Sequence, residues 1–396
     1  MGWSEAGSTA STPSRAEGLS HLKTLAPVIR NYAASRNQAT GGTTTRLSPS
    51  IRRRLVLEEE VLAFARSVGH FPQVEKFAQE VVWRTYWKGW LANRPGVWRA
   101  YLDRLRNLDD TLPAAQRDRL TCALQGTTDL PCFNAWCDEL ISTGYLHNHV
   151  RMWFASIWIF TLKLPWELGA RFFLDHLLDG DPAANTLSWR WVAGLQTAGK
   201  HYVARADNIA KYTGGRWVPK PGQLNESAQP LPDDGLARLP AQKPPLGPDA
   251  ETVQPQAVLL HDEDCGPLPA TWSAVPAVRW VGTDRPCHSP SAPVSHWIAG
   301  ACADANARHG SVAHARTSAE VADWCRSAGA TNLWTFRPHT GFVAESLTGL
   351  MTSLAPLGIR LQSADRRHDL TYFPLATRGF FPFWEAASAM LRREWP

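Results

Sequence analysis

The chain has 396 residues, 44% of them hydrophobic and 19% charged, with a formal net charge of +5. That length allows two domains with separate cores, and that composition excludes a disordered or fibrous chain. No run of 18 or more apolar residues occurs, and the first residues lack the apolar core of a secretory signal, so no membrane span is expected and the expected location is cytoplasmic. The charge is divided. Residues 1–220 carry 27 Lys and Arg against 19 Asp and Glu, a net of +8, whereas residues 221–396 carry 14 against 17, a net of −3. A basic first half suits a polyanionic partner such as DNA, and equally an ordinary solvated face. The seven cysteines, at 122, 132, 137, 265, 287, 302 and 325, show no CxxC spacing and point to neither a disulfide framework nor a metal site. Nineteen Trp are more than a core of this size requires.

In chain order, residues 1–20 are rich in Ser, Ala, Gly and Thr and read as a disordered tail. From 21 to 217 apolar residues recur at three and four positions, as in LVLEEEVLAFARSV, HVRMWFASIWIF and ELGARFFLDHLL, which predicts an all-α domain. Residues 218–256 hold nine Pro without periodicity and form a linker or wrapping loop. From 257 to 396, AVLLHDED, AVRWVG, TNLWTF and IRLQSA read as short buried strands, with helices around 291–308, 318–328 and 341–356 between them. That alternation predicts a small α/β domain with a largely parallel sheet. No GxGxxG or GxxxxGK motif occurs there.

Four stretches of the helical half carry candidate chemistry. In TTTRLSP, at 43–49, hydroxyls and N–H groups precede a helix and can hold phosphate, although Thr45 or Ser48 is equally an ordinary helix cap. In EVVWRTYWKGW, Glu80, Trp83, Arg84 and Trp87 share neighbouring parts of one helix surface. In TGYLHNHVRM, Asn148, Arg151 and Met152 fall within about one turn. In DGDPAAN, Asp179 and Asp181 are hydrogen-bond acceptors, and the same string is an ordinary loop when taken alone.

Taken together and in this order, these stretches resemble the flavin-binding domain of the photolyase/cryptochrome family. The resemblance covers roughly residues 20–217 and implies FAD as cofactor. It implies that Tyr32, Thr44, Thr45, Arg46, Leu47 and Ser48 meet the pyrophosphate, and that Phe77 stands where many members carry Trp. Arg84 would face the flavin phosphates, Arg151 the ring with Asp179 as its partner, and Asp181 and Asn185 the ribityl and N5 side. Glu80, Trp83, Asn148, Met152 and Trp191 would form the pocket for a flipped pyrimidine dimer, Trp83 and Trp191 as its clamp. Trp189 and Trp166 match two indoles of an electron relay, and Trp98 is the candidate for a third, surface one.

What the resemblance implies is a blue-light-driven, photolyase-like enzyme that passes an electron from reduced flavin to a dimer in damaged DNA. Asn185 matches the repair-type members. His149 stands where repair members carry a DNA-binding Arg, which leaves room for a cryptochrome-type photoreceptor with a signalling partner, or for a flavoenzyme turned to a small molecule. Members normally carry an α/β antenna domain ahead of the flavin domain. Here the α/β segment follows it, and its LATRGFFPFWEAA is similar to the antenna-domain exit, so a relocated domain with an altered or missing second chromophore is expected.

Overall fold

The computed structural model describes residues 12–40, 44–197 and 199–395. The first half is helical: α1 (Arg15–Thr24), α2 (Ala26–Ser35), α3 (Ser48–Arg52), α4 (Glu58–Val68), α5 (Phe71–Ala92), α6 (Pro95–Thr111), α7 (Ala114–Gln125), α8 (Pro131–Thr143), α9 (Asn148–Ser156), α10 (Trp166–His176), α11 (Pro182–Ala193) and α12 (Ala206–Tyr212). In the long α5, Val74, Phe77, Ala78, Val81 and Val82 recur at helical spacing and are buried, while Pro72 sits in the first turn, where a missing N–H is harmless. Oδ1 of Asp181 starts α11 by accepting the N–H groups of Ala183 and Ala184, and Gly194 ends it at φ 84, a left-handed turn that favours glycine. A π-helical turn, Ile157–Thr161, prolongs α9.

The α/β part comprises β1 (Ala257–Leu260), α13 (Ala270–Ser273), β2 (Ala277–Trp280), α14 (Ala292–His309), β3 (Val312–Ala315), α15 (Ser318–Ala328), β4 (Asn332–Phe336), α16 (Phe342–Leu354) and β5 (Arg360–Ala364). All neighbouring strands pair in parallel, in the order β3-β2-β1-β4-β5. Beyond it lie α17 (Arg367–Tyr372) and α18 (Phe380–Glu394).

A helical domain and a small parallel α/β domain are both present, as expected, with three corrections. The predicted tail of 1–20 ends early, because Ser14 caps α1 by accepting from Glu17 N–H, and Arg15 pairs with Glu60 through both terminal nitrogens. Residues 1–11 lie outside the described ones. The sequence pattern also missed β3, a half-buried strand at the sheet edge whose VAHA lacks a strong apolar alternation. Finally, the α/β segment does not run to 396. Tyr372, Phe383, Ala387 and Leu391 of α17 and α18 are buried in the same core as α5. A helix packs where its apolar face finds cover, whatever the chain distance, and α5 supplies that cover.

The Pro-rich segment 218–256 is a strap. Leu224 and Ala228 join the helical core, Asp234 bonds Arg190 at 2.7 Å and Arg104 at 2.9 Å, and Ala250 and Val253 pack on the sheet.

The domains meet through complementary charge. Arg52 and Glu263 form a fork at 2.5 and 2.6 Å, Arg53 bonds Asp262 at 2.9 Å, and Arg54 bonds both oxygens of Asp369 at 2.6 and 2.9 Å. Asp264 is held by Arg366 at 2.7 Å through both oxygens. The acidic run follows β1, whose carboxyl end adjoins that of β4 where the strand order reverses, the crevice in which open α/β sheets bind ligands. Here that crevice receives the arginine run of the helical domain.

Candidate functional site

Six segments of the helical domain converge on a cavity of about 220 Å³: α2, the 44–48 segment leading into α3, α4, α5, the start of α9 and the loop before α11. Of the expected cofactor residues, Tyr32, Thr44, Thr45, Arg46, Ser48, Phe77, Arg84, Asn148, Arg151 and Asp179 line it, as does Glu80. Leu47 is instead buried in the core and anchors the segment. Thr43 lies outside the described residues.

Tyr145 organises the cavity and was not singled out in the sequence, although it stands inside TGYLHNHVRM. Its hydroxyl is 2.9 Å from Thr44 Oγ1, and the guanidinium groups of Arg46 and Arg151 lie 4.9 and 5.5 Å from its ring centroid. Arg46 sits at φ 50, in the left-handed region, which costs a non-glycine residue energy and bends the chain at the cavity wall. Arg151 reaches Asp179 at 3.0 Å. Burial alone would raise the Asp179 pKa, but Arg151, the Ser48 hydroxyl and Arg84 outweigh it and hold the carboxyl below its usual range.

Two of the lining residues keep buried atoms with unused bonding capacity. Nε and Nη2 of Arg84 and Oδ1 of Asp179 are buried without a hydrogen-bond partner among the described residues. The carboxylates nearest Arg84 stand at 3.6 Å (Asp181) and 3.9 Å (Glu58), beyond hydrogen bonding. Leaving such groups unmet costs about 1–3 kcal/mol each, more for a charged one. Hydroxyls, guanidinium groups and a carboxylate around one cavity match a ligand carrying both a diphosphate and ring N–H donors.

Asp181 and Asn185 do not line this cavity. Oδ1 of Asp181 serves the α11 cap and Oδ2 faces Arg52 at 3.5 Å and Arg84 at 3.6 Å, while Asn185 donates to the Ala170 carbonyl at 2.7 Å. At these two positions local folding accounts for the side chain.

Of the residues expected to meet the lesion, Asn148 lines the cavity and is exposed, whereas Met152, half-buried, and the indoles of Trp83 and Trp191 do not line it. Glu80 is ion-paired with Arg36, one helical turn beyond Tyr32, and burial raises its pKa despite that partner. The two expected clamp indoles each stack on a ring of this chain: Trp83 on Phe380 of α18, centroids 3.5 Å apart, and Trp191 on Tyr202 at 5.9 Å. Neither Phe380 nor Tyr202 could be found from the sequence, because only folding brings them there. His149 stacks on Trp153 at 4.4 Å, and its Nδ1 is 3.1 Å from the Asn37 carbonyl oxygen.

Trp189 is buried against Trp158 and Phe173, at 6.2 and 5.1 Å, with its N–H unpartnered among the described residues. Trp166 is buried beneath Arg190. Trp98, the candidate for the surface indole, is only 2% exposed and donates to Glu345 at 2.9 Å. The docked α/β domain covers it, which corrects that expectation.

Residues 77–221 match the family model described as the FAD binding domain of DNA photolyase. The chain is 34% identical over 228 residues to a deoxyribodipyrimidine photo-lyase of Streptomyces griseus, covering 53% of this chain and 47% of that protein. It is 31% identical over 173 residues to the Escherichia coli deoxyribodipyrimidine photo-lyase (42% and 34%) and 35% identical over 128 residues to cryptochrome-2 of Arabidopsis thaliana (32% and 20%). Among solved structures, a class III photolyase from Agrobacterium tumefaciens aligns with a TM-score of 0.43 at 23% identity, covering 51% of this chain and 43% of that one. The chain spans less than half the length of each of these relatives. Its helical domain is thus similar to the corresponding part of photolyases and cryptochromes alike. Among the described residues, no helix is long and apolar enough to cross a membrane.

Proposed function

We propose that the chain binds FAD in the cavity between α2, α5 and α9 and uses blue light to drive electron transfer to a pyrimidine dimer in DNA. The observation that carries the cofactor reading is the gathering of Thr44, Thr45 and Ser48 with Arg46, Arg84, Arg151 and Asp179 around one cavity. When bound, FAD supplies light absorption and one-electron chemistry. The chain's own part is positioning. Arg84 and the hydroxyls hold the diphosphate, Arg151 and Asp179 hold the ring side, and Trp189 and Trp166 pass electrons inward. Glu80, its acidity weakened by burial, Asn148 and Met152 meet the lesion, with Trp83 and Trp191 offering stacking faces.

For a base to stack on Trp83, Phe380, itself buried, must move off that ring. The same stack, the Arg36 pairing of Glu80 and His149 in place of Arg favour a second reading, a photoreceptor without repair whose partner reads the α18 surface, where Phe381 is 75% exposed.

One preparation tests both. Flavin absorption followed by light-dependent loss of a thymine dimer from an oligonucleotide supports repair. Flavin that bleaches in light while the dimer persists moves the function to the photoreceptor, and purified protein that takes up no FAD refutes both readings.

A further inference from the structure

Ring contacts continue outward from Trp166 to a phenol that the reading above leaves unused. Tyr101, on α6, has its ring centroid 5.7 Å from Trp166 and is 1% exposed. Trp98 lies one ring further out, 5.3 Å from Tyr101. The Tyr101 hydroxyl is 3.2 Å from Nε2 of His288, in the segment between β2 and α14, and Nδ1 of His288 is 3.0 Å from Oδ1 of Asp175 on α10. Asp175 pins that segment in place: Oδ1 also accepts from Ser289 N–H at 3.2 Å, and its carbonyl accepts from Ser291 N–H at 2.7 Å.

These contacts define proton positions. An ionised carboxylate only accepts, so a neutral His288 carries its proton on Nδ1 and turns the Nε2 lone pair to the phenol. Tyr101 is then the donor, His288 the acceptor and Asp175 the orienting group, an arrangement in which a third residue sets the base. Burial first, and then the charge of Asp175, push the Tyr101 pKa well up, so the resting phenol keeps its proton. Losing an electron makes a phenol strongly acidic, and the oxidation then needs a base within hydrogen-bond reach.

We propose that Tyr101 is a redox-active residue that reduces Trp166 after Trp166 has given an electron to the photoexcited flavin, with the phenolic proton crossing to His288. This rests on the flavin and relay reading above. One electron leaves Tyr101 and restores neutral Trp166. The O–H bond breaks, an Nε2–H bond forms, and the products are a neutral tyrosyl radical and an imidazolium beside Asp175. A soluble thiolate then returns the electron, and His288 returns the proton. Because His288 belongs to the α/β domain and the other two groups to the helical domain, the relay exists only when the two are docked.

The test is electron paramagnetic resonance of the flavin-loaded full chain, frozen after a blue-light pulse, in H₂O and in D₂O. A tyrosyl signal in the wild type, absent in Tyr101→Phe and formed more slowly in D₂O, is the expected result. Asp175→Asn keeps the acceptor oxygen but loses the charge, and slows radical formation by about tenfold, less than the roughly 10²–10⁴-fold of a positioned base, because His288 itself remains. A tryptophanyl signal unchanged by Tyr101→Phe overturns the inference while the flavin photochemistry stands. A tyrosyl signal insensitive to D₂O and to Asp175→Asn overturns the proton transfer to His288. Failure to load flavin overturns this inference together with the reading beneath it.

Discussion

Helix α10 contains an interior glycine, Gly169, and the same substitution made there and in α16 has opposite expected signs. An interior Gly is about 0.8–1.0 kcal/mol less favourable than Ala, so Ala on an open helix surface stabilises. At Gly349 in α16 an added Cβ meets nothing within 4 Å, and Gly349→Ala gains that amount. At Gly169 the Cβ would stand 2.3 and 2.5 Å from Cη2 and Cζ3 of Trp189 and 3.0 Å from Cε2 of Trp158. Both indoles are buried and ringed by other aromatics, so neither moves away freely. Overpacking of this kind costs about 1–3 kcal/mol, which offsets the propensity gain and leaves Gly169→Ala between neutral and about 2 kcal/mol destabilised. The two variants therefore differ by about 1–3 kcal/mol, the overpacking cost alone. Urea unfolding, read as midpoint at constant slope, measures it. The rate of light-driven flavin reduction, expected to fall only in Gly169→Ala, reports whether Trp189 has moved. Equal stabilisation of both variants refutes the reasoning, because Trp189 would then not be wedged against α10.

Arg84→Gln removes a positive charge from the cavity lining, so FAD binding should weaken by about 1.5–3 kcal/mol, roughly 10- to 150-fold in Kd. Fluorescence titration checks it, and an unchanged Kd rejects the phosphate assignment. Glu263→Leu leaves Arg52 buried opposite an apolar side chain and should cost about 3–5 kcal/mol, while adding Arg52→Met should recover much of that loss. A double variant no more stable than Glu263→Leu in the same urea assay counts against the arginine run as a paired interface. His147 caps α9 through Nδ1, and burial, then the nearby His149, Arg151 and Arg46, lower its pKa to about 4. Folding holds it neutral, so its contribution is complete above its ordinary value of 6.5 and is lost as pH falls through about 4. The ΔG of unfolding should decline over that window, and His147→Asn, which caps without titrating, should flatten the decline.

Periodicity, caps and turn residues are local properties, and they made most of the architecture legible. The three- and four-residue spacing in α4, α5 and α9, the Pro-rich strap, four of the five strands and the helices between them could all be read from neighbouring residues. Much of the cavity wall was legible only through the resemblance of short motifs to a known family, because Thr44, Ser48, Arg84, Arg151 and Asp179 read singly as cap, helix-surface or loop residues. The rest depends on residues far apart in the chain. That α18 belongs to the helical core, and that Phe380 lies on Trp83, follows from an apolar face finding cover some 300 residues away. That Trp98 is buried and that Arg52 and Arg53 meet Glu263 and Asp262 are consequences of two domains excluding water between them. The Tyr101, His288 and Asp175 contacts have the same origin. A motif in the sequence carries residue type and local spacing, whereas which charge is paired and which ring is covered is decided only when the buried surfaces meet.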